Sequence, residues 1–231
     1  MLFLISCVAI EENTIWSGNL YELQGSQLEL SASSSIQMLN TSGEEILSSE
    51  NPYPDTSYYH ELHLSQEELS KNVLLLLNAE NSYPTMYVGQ TPTTNAIWLN
   101  GSLYSYGKTW TDSFFMSLGQ EISSPSEGEY AQLIGRPNVP EDWAGAEFTV
   151  YHESGETYTI DRYRYDESGF LLAIQDGEEF DRIDLFVCTN LQEGNVAFDV
   201  ITEDSRVMTV SYYAQKGTVI NATHLLFPTE Q

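Results

Sequence analysis

Polar and apolar residues alternate along much of this chain, with the period of two that marks β-strands rather than helices. Residues 58–64 and 158–165 alternate in this way, while residues 73–77 form a continuous apolar run. An alternating strand exposes one face to solvent, whereas a short continuous run is typical of a strand buried on both faces. The pattern therefore predicts a protein built from many short strands.

From residue 147 onward, apolar runs and turns follow one another at regular intervals. The turns carry glycine with acidic or polar neighbours, as at Gly155, Gly169 and Gly177. Glycine adopts the left-handed backbone conformation that a tight turn requires. This stretch predicts about seven consecutive antiparallel strands arranged as a meander.

The series Ile-Trp, then Gly, then Leu-Tyr occurs twice, at residues 15–21 and at residues 97–104, so that its members recur 82 to 83 residues apart. In the second copy, Asn100 and Gly101 stand between two apolar runs. That pair is typical of a type I′ turn and predicts a β-hairpin. We interpret the two copies as the openings of two β-rich units, with the polar, proline-containing residues 90–95 as the linker between them.

Together these patterns predict an all-β fold of two antiparallel β-sandwich or β-meander domains with little helix. The predicted N-terminal β domain covers residues 14–92, and the predicted C-terminal β-meander domain covers residues 93–231. Residues 1–13 form a separate leading segment. The chain has 231 residues, which is also long enough for one large β domain, so a single domain is the alternative.

The chain carries 34 acidic residues against 8 lysines and arginines, for a formal net charge of −26. Nucleic acids bind clusters of lysine and arginine, so we expect no nucleic-acid partner. Hydrophobic residues make up 41% of the chain and aromatic residues 12%, which predicts a folded protein. The acids are spread over the whole sequence and indicate a solvated anionic surface, with divalent cation binding as the functional alternative.

The sequence lacks the motifs of familiar catalytic and metal sites. It contains no Gly-x-Ser-x-Gly, glycine-rich phosphate loop, His-Glu-x-x-His or Cys-x-x-Cys. His60 and His63 stand three apart in an alternating strand, so we expect them on opposite faces, at exposed or rim positions, where they cannot bind one metal together. We therefore predict no catalytic residue, no metal site and no cofactor.

An aromatic group is the first candidate for ligand binding. It consists of Trp98, Tyr104, Tyr106 and Trp110. Tyr104 and Tyr106 share one face of a strand because they are two residues apart. An exposed row of this kind stacks on sugar rings or on a peptide, whereas a buried row belongs to the core, and both interpretations stay open.

Arg162 and Arg164 are the second candidate for ligand binding. They share one face of a predicted strand, and Tyr163 and Tyr165 take the other face. In a chain with so few bases, two adjacent arginines indicate pairing with acids across the sheet, or recognition of a carboxylate-bearing ligand. The nearby segment 176–184 holds five acids without the spacing of a calcium loop, and we interpret it as a charged hairpin tip.

The first ten residues are mostly apolar and end at the acids Glu11 and Glu12. Within them, Leu4-Ile5-Ser6-Cys7 resembles the lipobox of bacterial lipoproteins. The resemblance implies lipidation of Cys7, attachment to a membrane through the lipid alone, and a place at the bacterial cell surface or in the periplasm. The alternatives are a buried first strand and a disulfide between Cys7 and Cys188.

These features predict a surface-anchored binding or interaction module without catalytic activity. We expect its ligand to be a glycan, a peptide or a protein of the cell envelope. One alternative is an accessory hydrolase domain or small glycosidase, which would use two carboxylates that converge in a concave site. The other alternative is a structural component of the envelope, which an exposed apolar patch would mark.

Overall fold

The computed structural model describes residues 14–24, 27–31, 33–49, 58–64, 72–90, 102–119 and 128–225. The leading segment with Cys7, the predicted linker and hairpin turn, and Trp98 lie outside these residues, apart from residue 90 of the linker. The described part forms many strands and little helix, so the predicted all-β class is confirmed.

Eighteen strands, one α-helix and a short 3₁₀ helix (Pro140–Trp143) make up the described part. The helix is α1 (Lys108–Ser117). The strands are β1 (Thr14–Gln24), β2 (Gln27–Leu30), β3 (Ser34–Leu39), β4 (Glu45–Ser48), β5 (Tyr59–Leu64), β6 (Val73–Ala79), β7 (Ser82–Tyr83), β8 (Thr85–Gln90), β9 (Ser102–Gly107), β10 (Ala131–Pro137), β11 (Glu147–His152), β12 (Thr157–Tyr158), β13 (Asp161–Tyr165), β14 (Leu171–Ala173), β15 (Leu185–Leu191), β16 (Gly194–Ile201), β17 (Val207–Ala214) and β18 (Val219–Leu225).

The strands form three sheets. A nine-stranded sheet has the order β14-β13-β15-β10-β18-β8-β6-β3-β4, and a four-stranded sheet has the order β12-β11-β16-β17. A five-stranded sheet has the order β2-β1-β9-β7, with β5 also paired to β1. Core clusters show that the nine-stranded sheet is the middle layer, with the four-stranded sheet on one face and the five-stranded sheet and α1 on the other.

Strand β6 shows why strands of the middle layer are apolar at consecutive positions. Leu74 and Leu76 point into the cluster beneath the four-stranded sheet, while Val73, Leu75 and Leu77 point towards the five-stranded sheet. Side chains alternate along a strand, so a strand between two layers needs apolar residues at every position. Burying each leucine stabilises the fold by roughly 2 kcal/mol. The prediction that residues 73–77 form a strand buried on both faces is confirmed.

The two copies of the Leu-Tyr pair lie side by side. β1 and β9 pair in parallel, with Leu20 opposite Leu103 and Tyr21 opposite Tyr104. Both leucines are fully buried in the same core cluster. The similar sequences therefore occupy equivalent positions on neighbouring strands of one sheet.

Hydrogen-bonded ladders cross the predicted domain boundary at residue 92. β8 pairs in parallel with β18, and β1 pairs in parallel with β9. The nine-stranded and five-stranded sheets thus both contain strands from the two predicted domains. The boundary stays a prediction, and any two domains divided there would share both sheets.

The strands after residue 147 form two sheets rather than one meander. The predicted strand over residues 158–165 divides into β12 and β13, which belong to the four-stranded and nine-stranded sheets. β18 pairs in parallel with both of its neighbours, β10 and β8. Parallel strands are not joined by a tight turn, so the regular turns of the sequence did not predict the parallel pairing of β18.

Helix α1 has no counterpart among the predicted elements. Its buried residues, Thr111 and Phe115, are four apart, and so are Trp110 and Phe114, whose rings stack at 4.9 Å. Residues four apart share one face of a helix. Because aromatic residues have a high propensity for strands, their abundance here favoured a strand, and the four-residue spacing was not interpreted as a helix.

Gly135 makes room for an aromatic cluster in the core between the nine-stranded and four-stranded sheets. It lies on β10 directly opposite Phe186 on β15, and a Cβ atom there would overlap the end of the Phe186 ring. The Phe186 ring stacks on Trp143 at a centroid distance of 5.5 Å and contacts Phe148 at 5.1 Å. The missing side chain of the glycine is therefore a packing requirement.

His60 is buried, with 3% of its surface exposed, which corrects the expectation of an exposed or rim position. It joins two sheets: from β5 its Nε2 lies 2.8 Å from Oγ of Ser34 on β3, and its Nδ1 lies 3.0 Å from Oγ of Ser49. Two hydroxyl partners allow the neutral ring to be buried. Burial lowers the pKa of His60 below its ordinary value of 6.5, because desolvation disfavours the imidazolium.

We expect Gly135→Ala to lower the free energy of unfolding by about 3 kcal/mol, because the added methyl group overlaps the Phe186 ring. Urea-induced unfolding measures this loss. In a Phe186→Leu background the same substitution should cost at least about 1 kcal/mol less, since the two sites are in contact and leucine vacates the space of the ring. Equal costs in both backgrounds would contradict this packing.

The lowered pKa of His60 makes the fold less stable in mild acid. The unfolded chain binds a proton near pH 6.5, whereas folded His60 stays neutral to a lower pH. The free energy of unfolding therefore falls as the pH drops from 6.5 through the folded-state pKa. We expect His60→Gln to reduce this fall and His63→Gln, at an exposed position, to leave it unchanged, as measured by urea unfolding at a series of pH values. A His60→Gln profile parallel to the wild-type profile would refute the assignment.

Candidate functional site

An open cleft of about 850 Å³ lies beside β13, at an edge of the nine-stranded sheet. One wall comes from β13 and the segment after β14, and the other from the start of β11 and the turn after β16. The lining residues are Ala144, Gly145, Glu147, Arg162, Arg164, Gly177, Glu178, Glu179, Phe180, Asp181 and Glu203. Two stretches that the sequence singles out separately, the arginine pair and the acidic segment, thus meet in one cleft.

Strand β13 places both arginines in the cleft. Arg162 and Arg164 are two residues apart and lie on one face, while Tyr163 is buried on the opposite face. Tyr163 packs with Leu185 and Val187 of β15 in a core cluster, which fixes the orientation of the strand. The alternation of polar and apolar residues along β13 is what directs the two guanidinium groups into the cleft.

Arg162 lies over an aromatic ring. Its Cζ is 5.4 Å from the centroid of the Phe180 ring, within the range of a cation–π interaction. Its Nη2 also donates to Oδ1 of Asp176 at 3.1 Å, but the Asp176 side chain is 99% exposed. Because the Asp176 carboxylate lies in solvent, water screens this ion pair and its contribution to stability is small, so another acceptor can replace Asp176 at small cost.

Arg164 is held by the same segment. Its Nη2 donates to Oε1 of Glu178 at 2.7 Å, and the other oxygen of that carboxylate accepts the backbone N–H of Gln175 at 3.0 Å. Nη1 lies 4.0 Å from Oδ1 of Asp181. Glu178 therefore fixes both the arginine and the turn that carries Gly177, whose φ of 79° suits glycine.

Asp184 fastens the end of this segment to β13. Its Oδ2 accepts the backbone N–H of Tyr165 at 2.9 Å, and its own N–H donates to the carbonyl of Tyr163 at 2.9 Å. Both carboxylate oxygens also accept hydrogen bonds from Arg182, which raises the pKa of Arg182. Because the Asp184 side chain is only 5% exposed, this arrangement is a structural clasp rather than part of the ligand surface.

The cleft carries more negative than positive charge. Five carboxylates line it, those of Glu147, Glu178, Glu179, Asp181 and Glu203, against two guanidinium groups. Among the described residues, no group of three or more His, Cys, Asp or Glu side chains is arranged to hold a metal ion. The cleft thus offers polar donors, acceptors and one aromatic surface.

The aromatic candidates lie elsewhere, around α1. Tyr106 is buried, and its ring stacks on Trp110 at 5.3 Å and meets Tyr104 edge-on at 5.6 Å. Tyr104 and Trp110 are half-buried against the same core cluster. Trp98 lies outside the described residues. Burial raises the pKa of Tyr106 well above 10.0, as expected for a phenol within the core.

Cys188 lies in the core between the nine-stranded and four-stranded sheets. It is a free, fully buried cysteine, and burial raises the pKa of its thiol to about 12. A thiol with so high a pKa is unreactive at neutral pH. Cys188 therefore has a packing role, and Cys7 lies outside the described residues.

Phe180 is a residue of the cleft that the sequence pattern did not single out. Within the predicted meander, the apolar pattern indicates a strand over residues 180–188. In the structure β15 begins at Leu185, and residues 175–184 form an irregular segment. The acids of this segment were a usable signal, because two arginines in a chain so poor in bases need nearby carboxylates. Phe180 had no such signal, since a phenylalanine beside an apolar run fits a strand equally well.

The chain matches no family model and no curated protein. Among solved structures it is similar to GBS52, the minor pilin of the Gram-positive pathogen Streptococcus agalactiae. The TM-score is 0.25 and the sequence identity 11%, over 94% of this chain and 98% of the pilin. A likeness of that size carries no argument about the function of this chain.

No helix among the described residues has the length and apolar character needed to cross a bilayer.

Proposed function

We propose that this protein is an extracytoplasmic binding module, anchored through a lipid on Cys7, whose ligand site is the cleft beside β13. The observation that carries the proposal is the convergence of Arg162, Arg164 and Phe180 in one open cleft of about 850 Å³. Ligand sites commonly have volumes of roughly 300 to 1,000 Å³ and combine apolar surface with a few polar groups. The expected ligand is a glycan, a peptide or a protein of the cell envelope.

The pairing of Arg162 with Phe180 is suited to a ligand that has both flat and charged parts. The ring holds the guanidinium in place, which lowers the conformational entropy that the arginine loses on binding. The guanidinium can then exchange the exposed carboxylate of Asp176 for a carboxylate or hydroxyl of the ligand. Arg164, held by Glu178, supplies a second donor on the same face.

Hydrolysis by paired carboxylates is the second candidate function for the same cleft. Five carboxylates line the walls, and a glycosidase needs two of them on opposite sides of the scissile bond. Glu178 is already held by Arg164 and by the backbone of Gln175, which favours a structural role for that carboxylate. Binding without turnover is therefore the function that we put first.

Glycan and peptide arrays probed with the purified protein test the cleft. We expect binding to at least one probe class and a loss of about tenfold or more in affinity for Arg162→Ala, since a charge-assisted hydrogen bond and the stacked cation are both removed. Arg136→Ala, at an exposed arginine outside the cleft, is the matched control and should leave affinity unchanged. Silence on both arrays, affinity independent of Arg162, or release of cleaved glycan would each overturn the proposal.

Mass spectrometry of the protein extracted from the membranes of its own cells tests the anchor. The proposal predicts an acyl modification on a mature N-terminal Cys7, because a lipobox cysteine becomes the new N-terminus when it is lipidated. A protein in those cells that retains an unmodified Cys7 would show that this chain is not lipid-anchored.

A further inference from the structure

From the edge of the nine-stranded sheet we infer that β14 is a docking site for an extended, basic segment of a partner polypeptide, which adds to the sheet as a tenth strand. This inference goes beyond the cleft, since it concerns the backbone edge of β14. Among the described residues β14 pairs with β13 alone, and no strand covers its other side.

The register of the hairpin determines which backbone groups of β14 point outward. The N–H of Asp166 donates to the carbonyl of Phe170, and the N–H of Ile174 donates to the carbonyl of Arg162, each at 2.8 Å. Positions 170, 172 and 174 therefore direct their backbone groups towards β13. By the period of two, Leu171 and Ala173 direct N–H and C=O groups away from it, which is the pattern that an added strand pairs with.

The same hairpin exposes large apolar side chains. Phe170 is 70% exposed, Leu172 is 46% exposed and Tyr165 is 44% exposed. Phe170 and Leu172 lie on one face, while Tyr165 lies on the other, opposite Leu171. Native proteins usually protect a sheet edge with charges or proline, so three exposed apolar residues beside an open edge are typical of a binding surface.

Charge complementarity determines which partner the edge favours. Asp166 and Glu167 form the turn of the hairpin, and the acids of residues 176–181 follow directly after β14. The chain as a whole has a net charge of −26. A basic strand is therefore attracted and guided to the edge. A second copy of this chain would bring acids against acids, which disfavours pairing between two β14 edges.

Two synthetic hexapeptides test the inference: acetyl-Lys-Val-Lys-Val-Lys-Val-amide and its counterpart with glutamate in place of lysine. We expect the basic peptide to bind at least about tenfold more tightly than the acidic one, with an affinity that falls as salt is added. On saturation, amide hydrogen exchange at Leu171 and Ala173 should slow, because both N–H groups enter the new ladder. Binding that leaves both amides unchanged would overturn the docking site, as would the absence of binding.

Ala173→Pro is the matched variant, because it removes an outward N–H while keeping the hydrogen bonds to β13. We expect this variant to lower the affinity for the basic peptide by about tenfold or more. A basic peptide methylated on alternate amide nitrogens removes the same hydrogen bonds without altering the protein, so the test does not depend on folding of the variant. Undiminished binding of the methylated peptide would refute strand addition.

Arg162→Ala separates this inference from the cleft. With this variant, the affinity for the basic peptide should stay within about twofold of the wild-type value. Conversely, Ala173→Pro should leave the affinity of the cleft for an array ligand unchanged. Wild-type dimers in sedimentation that Ala173→Pro abolishes would assign the edge to a second copy and overturn the basic partner.

Discussion

A sheet that is covered on both faces must be apolar on both faces, and this requirement shapes most of the structure. The nine-stranded sheet has the four-stranded sheet on one side and the five-stranded sheet with α1 on the other. β6 and β15 accordingly bury consecutive residues, Val73 to Leu77 in one and Leu185 to Cys188 in the other. Where a large aromatic ring lies within this layer, the residue opposite it must be small, as Gly135 is opposite Phe186.

The cleft occurs where the double covering ends. β13 lies one strand from the edge of the nine-stranded sheet, and it keeps one apolar face, with Tyr163 buried, and one polar face, with Arg162 and Arg164. The polar face is partly covered by residues 175–184, which supply the carboxylates and the Phe180 ring. A rigid, buried sheet thus positions polar groups that face solvent, an arrangement that favours specific binding with little loss of side-chain freedom.

Strand content and the buried strand at residues 73–77 were predictable because side-chain period and burial are local properties of the sequence. Pairing between distant strands was not predictable from the sequence. Parallel neighbours such as β8 and β18 are not joined by a tight turn, so no local sequence signal marks their pairing. The face shared by Arg162 and Arg164 followed from the two-residue period, whereas their meeting with Phe180 depends on how an irregular segment folds back. The burial of His60 likewise depends on the packing of two sheets.

Native-state hydrogen exchange in β6 and β15 tests most directly the claim that one doubly covered sheet holds the molecule together. β6 lies before residue 92 and β15 after it, and both are strands of the nine-stranded sheet that bury most of their residues on both faces. If the sheet unfolds as one unit, the most protected amides of both strands exchange with a single free energy, equal to that of global unfolding. Two distinct free energies would show that β6 and β15 open independently, as two domains divided at residue 92 would. That result would contradict the claim that one sheet holds the molecule together.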